Sequence, residues 1–146
     1  MSYQPVRGYF EQLTYQALLT GGIAAADIHF DNFGETAAPS DRSYAVVSLS
    51  FGQGVEDVLS CEGLERLRGT INCVVYTPKQ QGSKPGEDIC LEVIKAWNGV
   101  NKRSTIFTAP LLEAACQNID GPQSLAPDQR PHHANVTTCG WRARVV

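Results

Sequence analysis

Charge is scarce in this sequence. Only 18% of its 146 residues are charged, against about 25% in an average soluble protein, which leaves surface suited to burial against partners. Basic runs are missing as well: 12 Lys+Arg against 15 Asp+Glu give a net charge of −3. That argues against a stand-alone nucleic-acid binder, whose affinity comes largely from neutralising phosphates. The longest apolar run, Ile23 to Ala26, is four residues, whereas a signal peptide needs about 7 to 15 and a spanning helix about 20. The expectation is a chain neither secreted by that route nor membrane-spanning.

Close cysteine pairs are also missing. Cys61, Cys73, Cys90, Cys116 and Cys139 lie 12, 17, 26 and 23 residues apart, so none forms the tight Cys-x-x-Cys turn of a zinc knuckle. Four of them sit in apolar or alternating stretches, where free cysteine behaves as a small buried hydrophobe. A reducing compartment is expected. Gly52-x-Gly54 lacks the third glycine of a phosphate-binding loop, because position 57 is Asp57, so it reads as a bend.

Catalytic constellations are equally sparse. His132 and His133 are adjacent, and neighbours on a strand point to opposite faces, which suits no shared ion. Cys139 follows His133 by six residues, but alternation puts it beside Trp141 on an apolar face. The carboxylate pairs Glu56-Asp57 and Glu87-Asp88 do not by themselves converge on a site, as acid–base chemistry requires. The chain is expected to be no enzyme and to need no metal or cofactor.

What the sequence does carry is periodicity. Val6, Tyr9, Phe10, Leu13 and Ala17 recur at helical spacing after Pro5, and Gly21-Gly22 ends the pattern, which predicts a helix from about Pro5 to Thr20. Ile28 to Phe30 is a short strand candidate, and Asn32 to Asp41 a loop. Tyr44 to Phe51 alternates, with Ala45, Val47, Leu49 and Phe51 on one face. After a bend at Gly52-Gln53-Gly54, Val55 to Leu67 reads as an extended excursion reversing near Glu62-Gly63. The next strand shows Leu67, Gly69, Ile71, Cys73 and Val75 on one face and Arg66, Arg68, Thr70 and Asn72 on the other, ending at Pro78.

A polar turn from Lys79 to Gly86 leads to a second helix, with Glu87 and Asp88 near its positive end. Its apolar stripe is Ile89, Cys90, Val93, Ile94 and Trp97, and Gly99 is expected as a left-handed cap. Ser104 to Thr108 and Leu111 to Ile119 are shorter strand candidates. Asp120 to His132, with Pro122, Pro127 and Pro131, is expected to be a surface loop. Asn135 to Val146 finishes as a strand, with Cys139, Trp141, Ala143 and Val145 on one face and Arg142 and Arg144 on the other. The order predicts a single domain over 1–146: α+β, one mainly antiparallel sheet with two helices on one face, plus an extended β-hairpin arm.

The outward arginines Arg66, Arg68, Arg142 and Arg144 are the most suggestive polar feature. Charge is also unevenly divided. Residues 1–60 hold two basic and seven acidic side chains, net −5, leaving +2 for the rest. Opposed patches of this kind suit head-to-tail association.

In order, these features resemble the tail terminator proteins of long-tailed bacteriophages and related minor tail and neck proteins. The resemblance rests on the N-terminal helix, the strand Tyr44 to Phe51, and the excursion ending in Glu62-Gly63-Leu64-Glu65-Arg66-Leu67-Arg68-Gly69. The strand Thr70 to Pro78, the second helix and a final strand with Gly140-Trp141-Arg142 complete it. Arg66-x-x-Gly69 before a hydrophobic strand ending in Pro is the most specific match, while the cysteine content and the loop Asp120 to Pro131 are departures.

The resemblance implies a non-enzymatic virion protein at the tail–neck junction, assembled in the host bacterial cytoplasm. It would form a homohexameric ring that caps the tail tube, stops its polymerisation and offers a head-joining surface. Its partners would be its own copies, the tail tube protein and a neck or head-completion protein. No membrane and no sequence-specific nucleic acid are implied, though DNA could pass through the lumen. The expected interface residues are Glu56, Asp57, Val58, Leu59, Leu64, Arg66, Arg68, Arg142 and Arg144. Alternatives are a head-completion or tail-tube protein, or a small intracellular enzyme or ligand-binding domain using His132, His133 and Cys139.

Overall fold

A computed structural model describes residues 4–30, 42–52, 55–56, 65–78, 84–100, 107, 111–124 and 132–145. Helix α1 spans Gln4–Thr20 and buries Val6, Phe10, Thr14, Ala17 and Leu18 along one stripe. It ends where the glycines allow. Gly22 takes φ +103°, Ile23 donates its N–H to the Leu18 carbonyl and Gly22 donates to Leu19, the paired bonds of a Schellman cap. A 3₁₀ turn, Ala25–Asp27, then leads into the two-residue strand β1, Ile28–His29.

Strands β2 (Tyr44–Phe51), β3 (Val55–Glu56) and β4 (Glu65–Pro78) precede helix α2 (Lys84–Val100), and β5 (Leu111–Ser124) and β6 (His132–Val145) follow it. The sheet order is β1-β2-β4-β6-β5, with β3 also paired to β4. Among the described residues only β1 and β2 run parallel; the remaining pairings there are antiparallel. Two helices against a mainly antiparallel sheet make the α+β fold that the element order implies.

The core follows from alternation. Ala45, Val47 and Leu49 meet Val75, Cys73 and Ile71 in register, and β6 adds Cys139, Trp141, Ala143 and Val145, all buried. Against this face lie Phe10 of α1 and Cys90, Val93 and Trp97 of α2, each fully buried. A large apolar side chain contributes about 1.5–3 kcal/mol when fully buried, so these residues dominate the stability of the helix–sheet layer. Arg7 ties α1 to the end of β2: its guanidinium lies 5.3 Å from the Phe51 ring centre and pairs with Glu11 at 3.2 Å.

Two glycines permit the closest approaches. A Cβ at Gly69 would collide with the Ser50 carbonyl oxygen of β2 and stand 2.7 Å from Trp141 Cζ2. Trp141 therefore lies across Gly69 and meets Phe51 edge to face, 5.1 Å between ring centres. At Gly86, a Cβ would collide with the Asn135 side-chain amide, which lets the start of α2 rest directly on β6.

Several expectations are corrected. Gly99 lies inside α2 rather than capping it, and its φ is not positive. The turn expected to reach Gly86 ends sooner, because Lys84, Pro85 and Gly86 already belong to α2, where Pro suits the first turn. Asp120 to Ser124, expected in a loop, continue β5, and His132 already belongs to β6. Ladder pairing with β6 overrides the turn-forming composition there. It does so through register shifts between Gln117 and Asp120 and between Asp120 and Gln123, with Asn118 at φ 53°. Pro122 is tolerated because β5 is an edge strand. Of the strand proposed for Ser104 to Thr108, only Phe107 is described, and it is not in a strand. Asn32 to Asp41, Lys79 to Ser83, Cys61 and the excursion from Asp57 to Leu64 lie outside the described residues. The base of that excursion is described, because Val55 and Glu56 pair with Arg66 and Glu65.

Candidate functional site

The face of the sheet opposite the helices is built from the other half of each alternation. Tyr44 stacks on Tyr76, 4.5 Å between ring centres and 10° from parallel. Next along the strands come Val46, Val74 and Val136 in register. Ser48, Asn72 and Thr138 follow, and beyond them Ser50 and Thr70, whose hydroxyls hydrogen-bond at 2.7 Å. The face thus grades from aromatic to polar toward the end where the arginines lie.

At that end β4 and β6 pair Arg68 with Arg142 and Arg66 with Arg144 directly. Like charges directly opposite one another in an antiparallel pair destabilise it. Arg68 and Arg142 are exposed, and neither forms an ion pair among the described residues. Arg144 is more sheltered and reaches Glu113 of β5 at 3.5 Å, where the Glu113 side chain is 61% exposed. A register shift between Leu111 and Glu113 sets Glu113 opposite Arg144 and Ala115 opposite Arg142. Glu113, Ala114, Ala115, Arg142, Ala143 and Arg144 line an open cavity of about 270 Å³. Small side chains on β5 leave the space that the arginines border.

Of the residues expected at an interface, Arg68, Arg142 and Arg144 come together on this face, and the register sets Arg66 beside them. Glu56 pairs with Glu65 at the base of the excursion. Asp57, Val58, Leu59 and Leu64 lie outside the described residues. Glu113 and Ala115 belong to the same surface and were not singled out from the sequence. Their alternation in the β5 segment was visible, but nothing local says that β5 adjoins β6.

The acidic N-terminal portion is partly neutralised from within. Besides the Arg7–Glu11 pair, Arg42 bonds Asp27 at 2.7 Å, with Asp27 buried. Both basic residues of 1–60 are thereby committed to carboxylates of the same segment.

The chemistry considered for His133 and Cys139 does not assemble. Six residues of extended strand separate them by roughly 20 Å. A hydrogen bond with Cys116, together with burial, pushes the Cys139 thiol up. Burial does the same to Cys73 and to Cys90. Thiols so perturbed stay protonated and are poor nucleophiles. Cys73, Cys90, Cys116 and Cys139 are free and buried. Burial, with Cys116 nearby, also pushes the Tyr9 hydroxyl up. Among the described residues no cluster of three or more His, Cys, Asp or Glu could hold a metal, and no helix is long and apolar enough to cross a membrane.

No protein-family model matches the chain, and no curated protein matches it.

Proposed function

We propose that this chain is a virion structural protein of a long-tailed bacteriophage, a ring subunit that caps the tail tube, ends its polymerisation and presents the surface for head joining. The observation that carries the reading is the cross-strand pairing of Arg68 with Arg142 and Arg66 with Arg144. An unfavourable charge arrangement on the helix-free face of a sheet is stabilised when an anionic partner surface covers it, and such surfaces steer and select partners. The helix–sheet–helix–sheet order matches that of the family the sequence resembles, and the low charge fraction suits a subunit with much of its surface in contacts.

A closed ring needs a heterologous contact, one patch of each subunit meeting a different patch of the next. The expected stoichiometry is six, with the tail tube protein on one side and a neck protein on the other. Electron microscopy of the purified protein, with sedimentation over a concentration series, tests this. Closed rings, or oligomers that grow with concentration and bind tail tubes, support the proposal. A protein that remains monomeric throughout and ignores tail tubes overturns it.

A further inference from the structure

We propose that the arginine-bordered cavity between β5 and β6 is a docking site for an extended acidic segment of another polypeptide, one carrying carboxylates at alternate positions. Arg142 and Arg144 stand two residues apart on one strand, about 7 Å by strand geometry. An extended chain presents residues i and i+2 to one side at the same interval, so two carboxylates of a strand-like segment can meet two guanidiniums in step. Arginine is suited to this role, because its planar fork binds a carboxylate through two parallel hydrogen bonds. Arg68, directly opposite Arg142, adds a third positive charge. Arg144 is ion-paired at 3.5 Å to Glu113, whose side chain is 61% exposed, so a partner carboxylate that meets Arg144 competes there with a solvent-exposed ion pair.

The segment is assigned to another polypeptide for a reason visible in the sequence. The 15 acidic residues of this chain include no two at positions i and i+2. Glu56-Asp57 and Glu87-Asp88 are contiguous, and Glu62 and Glu65 are three apart. A second copy therefore lacks the matching pattern. Ala115, set opposite Arg142 by the register, keeps the surface beside the guanidiniums low enough for a segment to approach. This deepens the reading of the arginine face as a contact surface, while ring formation is measured separately by sedimentation, so either can fail without the other.

The test uses the full chain and two fluorescein-labelled heptapeptides of one composition. One is Thr-Glu-Val-Glu-Val-Glu-Thr, and the other spaces its glutamates three apart as Glu-Thr-Val-Glu-Val-Thr-Glu. Fluorescence anisotropy at fixed ionic strength should show the alternating peptide binding roughly ten-fold more tightly, which corresponds to about 1.4 kcal/mol. Arg142→Gln, at an exposed position, should bring the two peptides to the same weak affinity, and Arg68→Gln should weaken the alternating peptide by a smaller factor. Equal binding of both peptides overturns the proposal, as does full binding by Arg142→Gln. Tighter binding of a short DNA duplex under the same conditions would assign the face to phosphate instead and overturn it equally.

Discussion

Trp97 of α2 donates its indole N–H to the Thr14 hydroxyl of α1 at 3.1 Å, and Thr14 in turn donates to the Phe10 carbonyl at 2.9 Å. Both side chains are fully buried. This relay satisfies the one polar atom of a large aromatic residue, and it fixes how the two helices sit against each other above the sheet.

Replacing Thr14 with Val keeps the shape but leaves the indole N–H without its acceptor. The cost of an unsatisfied buried donor is about 1–3 kcal/mol. Thr14→Ser, which retains the hydroxyl, should be the milder change. Urea denaturation of the two variants should separate them by a clear shift in midpoint at an unchanged slope.

Gly69 and Gly99 should respond in opposite directions to alanine. At Gly69 the added methyl meets the Ser50 carbonyl and Trp141, so β2 and β4 must separate, at a cost of about 3 kcal/mol or more. At Gly99 nothing lies within 4 Å of the added Cβ and the backbone is helical, so Gly99→Ala should stabilise by about 0.5 kcal/mol. A left-handed cap at Gly99 would predict loss instead, so thermal unfolding of this one variant distinguishes the two.

Stability should fall as pH rises above about 8.5, the ordinary thiol range. The Cys73 thiol is pushed well above that range by burial, so the unfolded chain releases a proton there while the native chain keeps it. With fewer protons on the unfolded state, the slope of stability against pH is negative, up to about 1.4 kcal/mol per pH unit for one fully protected thiol. Denaturant titrations between pH 7.5 and pH 9.5 in reducing buffer should show the decline, and Cys73→Ala should reduce its slope by close to one proton.

Arg68→Glu should raise stability while harming assembly. The substitution turns the Arg68–Arg142 contact into an opposite-charge cross-strand pair, worth about 0.2–1 kcal/mol. It also reverses the charge offered to an acidic partner, where juxtaposed like charges cost several kcal/mol once desolvated. The expected outcome is a folded, slightly more stable protein that fails to cap tails, leaving tubes of uncontrolled length in electron micrographs. Normal capping with raised stability would remove the arginine face from the contact with the partner protein.

Much of this architecture is determined locally by the sequence. Period-two alternation assigns Ile71, Cys73 and Val75 to the core and Arg68 to the other side, because successive residues of a strand point oppositely whatever the strand pairs with. The same holds for Trp141 against Arg142 on β6, and the α2 stripe of Ile89, Cys90, Val93 and Trp97 is fixed by helical period alone. The tertiary structure decided what depends on neighbours distant in the chain. It placed β6 between β4 and β5, which set Arg68 opposite Arg142, and it shifted the β5 register so that Glu113 reached Arg144. It also drew Asp120 to Ser124 into a strand and kept Gly99 helical against their local tendencies. Ladder hydrogen bonds and burial against residues far along the chain outweigh the few tenths of a kcal/mol to about 1 kcal/mol that intrinsic propensity supplies.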